Sequence, residues 1–179
     1  MAYILPLNGH TPQLPEDTFI APNATIVGDV VMGKGCTVWF NAVVRGDVNS
    51  IRIGDNVNIQ DGAVIHCTYQ KSQTIVGNNV SIGHNAILHG CTIDHDVLIG
   101  MGAIVMDNAR IDSNSIIAAG AVILAGTHVE AGTIWAGVPA KKVKDIDMVL
   151  ISGEINRISK NYAMYASWYD DVLPKEKTL

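Results

Sequence analysis

Three histidines in the middle of the chain, His66, His84 and His89, have the side-chain type best suited to a metal site. Three neutral imidazoles with an open fourth position form the catalytic type of zinc site, in which the metal lowers the pKa of bound water to about 7. Whether the three imidazoles can meet depends on the fold that carries them. Other polar side chains in the same stretch could support such an ion, namely Arg45, Asp47, Asn58, Gln60 and Asp61.

The chain repeats with a period of six residues. Aliphatic residues, called anchors below, recur at every sixth position from Ile93 to Val129, and the same spacing occurs in blocks before Ile93. A small residue such as Ala86 or Ala103 precedes many anchors by two positions, which is the alternation of a short strand with two side chains facing one interior. Gly, Asn and Asp fill other positions and tolerate the backbone of tight corners. The sequence therefore predicts an all-β coil of parallel strands.

The repeat resembles the hexapeptide-repeat left-handed β-helix, a triangular prism with three hexads to each coil, and that count sorts the polar residues into columns. Val44, Ile65 and Leu88 then share one wall of a prism, provided that the interruption after Ile65 is a loop bulging from a corner. The residues that directly follow these anchors should point outward and stack at the inter-strand spacing of about 4.8 Å. They are Arg45, His66 and His89.

A second column lies near a corner and contains Asp61 and His84, which each follow an anchor of another wall by two positions. His66 and His89 can therefore share one ion, while His84 faces another direction. We expect all three imidazoles to converge only if a second subunit supplies His84.

The composition favours a single soluble, cytoplasmic domain. The net charge is −5 and there is no run of Lys and Arg, which argues against nucleic acid or an anionic membrane as a partner. No segment approaches about 20 uninterrupted apolar residues, and the first residues lack a basic leader. We expect an extended cap over residues 1–18, the β-coil over 19–140, and a helix with a tail over 141–179.

The last of these segments predicts an amphipathic helix, because apolar and aromatic residues recur at alternating spacings of four and three. Asp145 or Asp147 is the expected cap, and Pro174 should lie beyond the end of the helix. The apolar face of this helix consists of Ile151, Ile155, Ile158, Tyr162, Tyr165 and Tyr169.

The remaining candidate ligands fit packing or solvent better than metal. Cys36, Cys67 and Cys91 are odd in number and show no CxxC spacing, so we expect buried thiols, with Cys67 beside His66 as the one alternative ligand. The other histidines are expected to be solvated surface residues, namely His10, His95 and His128.

Five separated fragments carry a family resemblance: Arg45-Gly46-Asp47, Asn58-x-Gln60-Asp61, His66, His84-x4-His89 and Tyr165-Ala166-Ser167-Trp168. Together they resemble the gamma-class carbonic anhydrases, and the last fragment is close to that of bacterial YrdA-type members. The resemblance implies a left-handed hexapeptide-repeat β-helix that forms a homotrimer with three interfacial sites. Each site would hold Zn²⁺, or another divalent ion such as Fe²⁺ or Co²⁺, and would hydrate CO₂ reversibly to bicarbonate through a zinc-bound hydroxide. His66 and His89 would come from one subunit and His84 from the next.

The resemblance also implies roles for the other polar residues. Gln60 would hydrogen-bond the hydroxide or the product, and Arg45 would pair with Asp47 across the interface and attract bicarbonate through its forked donors. Asn58 and Asp61 would fix the imidazole tautomers, and Tyr165 would reach the rim of the site. Structural interpretations of the same residues remain open. Arg45 and Asp47 would then form only a salt bridge, and Gln60 and Asp61 would only hydrogen-bond the backbone at a corner. Tyr165 would be a packing residue of its helix.

Two departures from the family pattern bear on turnover. The family has a glutamate after Arg-Gly-Asp and a second, proton-carrying glutamate in the loop after the first histidine, whereas this chain has Val48 and, approximately, Tyr69 there. Proton release would then need buffer or another group. Two other functions remain: an acyltransferase using acyl-CoA, since Gly137-Val138-Pro139-Ala140-Lys141 also occurs in such enzymes, and a metal-binding trimeric scaffold without activity.

Overall fold

The protein is a left-handed parallel β-helix followed by one helix, which confirms the fold class expected from the hexads and the family resemblance. The computed structural model describes residues 1–173, apart from the side chains of Met148 and Ser152. The predicted tail beyond residue 173, including Pro174, lies outside the described residues. No helix within the described part is long and apolar enough to cross a membrane.

Short strands form three walls around one core. The first wall contains Tyr3–Leu5, the first halves of Thr25–Met32 and Val43–Ile53, Val64–His66, Ile87–His89, Ile104–Val105 and Val122–Ile123. The second wall contains the second halves of the same two long strands, Thr74–Val76, Thr92–Ile93, Arg110–Ile111 and His128–Val129. The third wall contains Phe19–Ile20, Thr37–Val38, Asn58–Ile59, Ser81–Ile82, Leu98–Ile99, Ile116–Ile117, Thr133–Gly137 and Ala140–Asp145.

The register of the first wall agrees with the count of anchors. Val44 pairs with Ile65, and Ile65 pairs with Leu88, so the three anchors stack as predicted. His66 and His89 are direct neighbours in the same ladder. The interruption after Ile65 is a loop at the corner between the first and second walls, so it does not disturb the column.

Alternation of side chains along each strand builds the core. The anchors from Ile26 to Val129 are almost completely buried, and most of the small residues that precede them, such as Ala86 and Ala103, are buried as well. Burial of each branched aliphatic side chain contributes about 1.5–3 kcal/mol. The cluster is continuous along the prism, so every wall is held by the same core.

Asparagine and aspartate form a ladder at one corner. Asn56, Asn79 and Asp96 adopt left-handed backbone with φ of 55°, 56° and 56°. Asn56 Nδ2 donates to Asn79 Oδ1 at 3.3 Å, and Asn79 Nδ2 donates to Asp96 Oδ1 at 3.1 Å. These short polar side chains tolerate the left-handed conformation and link one coil to the next.

Both ends of the prism are covered. The strand Tyr3–Leu5 pairs with Thr25–Met32, and Gln13 bridges to Val31, so the first residues lie against the first coil. At the far end the chain reverses after Gly137, and Ala140–Asp145 pairs with Thr133–Gly137 as an antiparallel strand, an element that the hexads did not predict.

The terminal helix begins after Asp147, whose Oδ1 accepts a hydrogen bond from the Leu150 backbone N at 2.8 Å. Asp147, one of the two expected caps, therefore satisfies an otherwise free amide of the first turn. The helix consists of Met148–Leu150, a π-helical turn Ile151–Asn156, and Arg157–Ser167. Ile155 is fully buried, so the apolar face of the helix packs inward.

Candidate metal centre

His66 and His89 lie side by side on the outer surface of the first wall, one coil apart. His66 Nδ1 is 3.2 Å from His89 Nε2, and the ring centroids are 5.2 Å apart with the planes at 60°. Adjacent strands therefore bring one nitrogen of each ring to the same point.

The second nitrogen of His66 is held by a carboxylate. His66 Nε2 lies 3.0 Å from Asp47 Oδ1, and the other oxygen of Asp47 pairs with Arg45 Nη1. Burial raises the pKa of the Asp47 carboxyl, but hydrogen bonds from Arg45 and His66 outweigh burial and lower that pKa overall. Asp47 is therefore ionised, and His66 Nε2 carries the proton that it donates.

His89 is held in the same way by Asp107. His89 Nδ1 lies 2.9 Å from Asp107 Oδ2, while Asp107 Oδ1 accepts hydrogen bonds from Thr68 Oγ1 at 2.7 Å and Ser72 Oγ at 2.5 Å. Burial opposes ionisation, but the bonds from Ser72, Thr68 and His89 lower the pKa of Asp107 to about 2. This carboxylate is an acceptor at neutral pH, so His89 Nδ1 carries a proton as well.

These bonds leave two lone pairs facing each other. Because His66 Nε2 and His89 Nδ1 donate to carboxylates, the neutral rings have no proton left for their 3.2 Å contact. Two lone pairs at that distance repel unless a proton or a metal ion lies between them. Two nitrogens bound to one tetrahedral zinc at the usual distance of about 2.0–2.1 Å are separated by about 3.3 Å, so the pair fits such an ion.

His84 lies near the corner that follows the third wall and belongs to a different set of contacts. Its Nδ1 is 2.9 Å from Asp61 Oδ2, its Nε2 is 3.2 Å from the Tyr162 hydroxyl, and its backbone N donates to Gln60 Oε1 at 3.2 Å. Burial and the negative charge of Asp61 raise the pKa of Tyr162 to about 12, so its hydroxyl is a donor at neutral pH. Within residues 1–173 of one chain, no three His, Cys, Asp or Glu side chains are arranged to hold a metal.

Gln60 and Asn58 form a buried chain of amides beneath His84. Gln60 Nε2 donates to Asn58 Oδ1 at 2.9 Å, and Asn58 Nδ2 donates to Ser81 Oγ at 2.7 Å. Asn58 therefore contacts Gln60 and Ser81, not an imidazole. The carboxylate that contacts an imidazole in this region is Asp61.

Tyr165 lies next to the tyrosine that contacts His84. Its ring is 5.5 Å from that of Tyr162 and 4.9 Å from that of Trp168. Tyr162 in turn packs edge-on against Trp39, with ring centroids 5.3 Å apart. The helix thus presents Tyr162 to His84 and places Tyr165 in the aromatic packing around it.

Several known proteins are similar to the chain. A family model described as Bacterial transferase hexapeptide (six repeats) matches residues 11–46 and 90–125. A carbonic anhydrase of Geobacillus kaustophilus is 46% identical over 166 residues, which cover 93% of this chain and 90% of that protein. Gamma carbonic anhydrase 2, mitochondrial, of Arabidopsis thaliana is 38% identical over 160 residues, covering 85% of this chain and 56% of that protein. The chain belongs to the gamma-class carbonic anhydrase family.

The chain also has a bacterial relative of similar length. Protein YrdA of Escherichia coli is 35% identical over 168 residues and covers 90% of this chain and 89% of that protein. By contrast, the chain spans about half the length of the plant relatives, 56% and 54% for two of them.

Among solved structures, the BC4754 product of Bacillus cereus, whose description suggests an acetyltransferase, has a TM-score of 0.92 at 36% identity. That match covers 96% of this chain and 99% of the Bacillus chain.

Two residues of the centre were not predicted from the sequence, Asp107 and Tyr162 as the partner of His84. Asp107 follows its anchor Val105 by two positions, as Asp61 follows Ile59, so the same counting applied one coil further would have indicated a carboxylate near His89. Thr68 and Ser72, which hold Asp107, come from the corner loop, where the six-residue period is interrupted.

The other candidate ligands have partners elsewhere. Cys67 Sγ donates to Ser50 O and Thr74 Oγ1, both at 3.5 Å, inside the core, and Cys36 and Cys91 are buried free thiols. His128 Nε2 pairs with Asp112 at 2.7 Å on the exposed second wall. His66, His84 and His89 are the imidazoles that belong to the family motifs.

Proposed function

We propose that the protein is a metal-dependent carbonic anhydrase that converts CO₂ and bicarbonate at a site shared between subunits. The observation that carries the proposal is the pair of facing nitrogens, His66 Nδ1 and His89 Nε2, 3.2 Å apart. Zn²⁺, or another divalent ion such as Fe²⁺ or Co²⁺, satisfies both lone pairs with the ligand chemistry that imidazole favours. Relatives named carbonic anhydrase support the same assignment.

We propose a homotrimer in which a neighbouring subunit supplies His84 as the third ligand. The outer surface of the first wall supports this arrangement, because the residues that precede its anchors are aliphatic and stack in register beside the histidine column. Such a strip on an exposed wall is typical of a surface covered by another protein. We call it the apolar stripe, and it consists of Val43, Val64, Ile87, Ile104 and Val122.

Each residue around the pair has a task in this reaction. A bound divalent ion would supply acidified water at neutral pH. Asp47 keeps a proton on His66 Nε2, and Asp107 keeps one on His89 Nδ1. The lone pairs of His66 Nδ1 and His89 Nε2 are then free to bind a metal. Arg45, with a half-exposed side chain, keeps donors beyond its contact with Asp47 that can attract bicarbonate.

Proton release is the weakest step of the proposed cycle. The two positions where the family has a glutamate hold Val48 and Tyr69, which have no carboxylate to carry the proton away. Val48 packs against the core, and Tyr69 is 63% exposed on the corner loop. Turnover should therefore rise with buffer concentration.

The test joins elemental analysis of the purified protein to stopped-flow CO₂ hydration. We expect about one metal ion per chain in wild type and loss of both metal and hydration in His84→Ala. His128→Ala, which removes an exposed histidine paired with Asp112, is the matched control and should change neither. Metal-free wild type would refute the proposal, and metal without hydration would favour a scaffold.

Mixing two inactive variants tests whether a site spans two subunits. His84→Ala retains the His66 and His89 pair, and His89→Ala retains His84. Coexpressed chains would rebuild some complete sites and recover part of the wild-type metal content. No recovery in mixed trimers would exclude shared ligands.

An acyltransferase is the second candidate, because the Bacillus structure with a TM-score of 0.92 carries a description of that activity. Such enzymes use one histidine as a base and need no metal tripod. Acetyl transfer from acetyl-CoA by metal-free protein, retained in His66→Ala, would favour this candidate over the metal-dependent one.

A further inference from the structure

We infer that the Tyr162 hydroxyl occupies the ring nitrogen of His84 that would bind the metal, and that it must release this nitrogen when the metal binds. The inference rests on the proposed function and adds a link between metal loading and the terminal helix. It is based on the contacts of both nitrogens of His84 in the described chain.

His84 has no free ring nitrogen. Asp61 Oδ2 accepts from Nδ1 at 2.9 Å, and the Tyr162 hydroxyl donates to Nε2 at 3.2 Å. The imidazole is thereby held with its proton on Nδ1 and its lone pair on Nε2. That is a tautomer a metal can use, but the hydroxyl proton of Tyr162 occupies the place of the ion.

One of the two contacts must break when His84 becomes a ligand. A hydrogen bond to a carboxylate is stronger than one from a neutral hydroxyl. The Asp61 contact also resembles the usual support of a metal-binding imidazole, in which a carboxylate accepts from the rear nitrogen. Tyr162 is therefore the partner that yields.

The helix has other attachments that survive this release. The Tyr162 ring packs against Trp39 at 5.3 Å, and Ser159 Oγ donates to the Asn56 carbonyl at 3.2 Å. The release should loosen the turns around Tyr162 without detaching the helix. Metal binding should therefore change the mobility of the helix segment Arg157–Ser167 on the outer surface of the prism.

The experiment compares wild type, Tyr162→Phe and Tyr165→Phe. The last variant is the matched control, because it removes a hydroxyl one turn away from the same aromatic cluster. Zinc affinity is measured by competition with a chelating indicator. Tyr162→Phe should bind zinc roughly two- to tenfold more tightly, the factor that corresponds to one net hydrogen bond, and Tyr165→Phe should match wild type.

A second readout does not use activity. Hydrogen exchange of the amides in Arg157–Ser167 should increase when zinc is added to wild type. In Tyr162→Phe it should already be high without metal and should change little on loading. In metal-free wild type, the ¹⁵N shifts of His84 should show a proton on Nδ1 and a hydrogen-bonded Nε2, and the Nε2 signal should move in Tyr162→Phe.

The outcomes separate this inference from the proposed function. The role of Tyr162 is overturned if wild type and Tyr162→Phe bind zinc with equal affinity. It is also overturned if Asp61→Asn, and not Tyr162→Phe, raises the zinc affinity. Either result leaves the carbonic anhydrase proposal intact. If Tyr162→Phe binds zinc more tightly but zinc-loaded wild type does not hydrate CO₂, the role of Tyr162 is supported and the carbonic anhydrase proposal is not. Absence of zinc from wild type overturns both.

Discussion

His66 Nδ1 and His89 Nε2 approach each other to 3.2 Å, with a carboxylate bound to the far side of each ring. Parallel strands in register set the separation of the two rings, and the two carboxylates set their tautomers. Under the proposed function, this pair supplies two of the three imidazole ligands from one wall of the prism. If His84 of a neighbouring subunit is the third ligand, as proposed, metal binding and assembly are parts of one equilibrium.

Replacing Asp107 by Asn should weaken metal binding by about ten- to a hundredfold. The amide can no longer accept with full negative charge from His89 Nδ1, and the bonds from Thr68 and Ser72 lose the ionised partner that they stabilise. Zinc affinity measured by chelator competition checks this. Asp112→Asn, which affects a carboxylate bound to His128 at 2.7 Å, should leave zinc affinity unchanged. An equal effect of both substitutions would mean that general surface charge, not the orientation of His89, sets the affinity.

Charging the apolar stripe should separate the subunits. Ile87→Lys places an ammonium group at the centre of the stripe, and burying that charge without a partner costs several kcal/mol. The trimer dissociation constant should rise by roughly two orders of magnitude or more in sedimentation equilibrium. Ile75→Lys makes the same change at an outward position of the second wall and should remain trimeric. A trimer that persists in Ile87→Lys would place the interface on another wall.

The hexads, counted three to a coil as the family resemblance implies, were sufficient to predict the walls. The pairing of Val44, Ile65 and Leu88 follows from that count once the interruption after Ile65 is placed at a corner, and the pairing of His66 with His89 follows from it. The strand Ala140–Asp145 could not be predicted in this way. Its exposed lysines show no alternation, and it forms by pairing with the backbone of Thr133–Gly137.

The contact from the terminal helix also lay beyond the sequence pattern. Tyr162 and Tyr165 are three residues apart in the terminal helix, so α-helical periodicity places both on the same face. The π-helical turn Ile151–Asn156 adds a residue relative to α-helical counting and changes the rotation of everything after it. Only the folded packing against Trp39 determines that Tyr162, not Tyr165, contacts His84.

The buried thiol of Cys36 should make the protein less stable at alkaline pH. Burial, aided by the charges of Asp55 and Asp17, raises the pKa of this thiol from 9.0 to about 11. In the unfolded chain the thiol ionises from about pH 9, so the stability it contributes is complete below pH 9 and is lost as the pH rises to 11. Between pH 8 and 11, wild type should lose about 2 kcal/mol more of its unfolding free energy than Cys36→Ala. Urea unfolding at the two pH values measures the difference, and identical losses would contradict the prediction.

Gly90 is the backbone position on which the His89 contacts depend. Its φ is +60°, and a Cβ there would overlap Ser72 Oγ and Asp107 Oδ1. Gly102 has a similar φ of +66°, but a Cβ at that position would meet nothing within 4 Å. Gly102→Ala should therefore show only the cost of left-handed backbone, about 1 kcal/mol in urea unfolding.

Gly90→Ala has to bear the same backbone cost and also displace the carboxylate that orients His89. We expect it to lose roughly 2–4 kcal/mol of unfolding free energy, with zinc affinity lowered as in Asp107→Asn. Equal unfolding losses in the two alanine variants would show that the side chains of Ser72 and Asp107 can move aside. Zinc affinity that remained at the wild-type level in Gly90→Ala would show that His89 can bind the metal without its carboxylate.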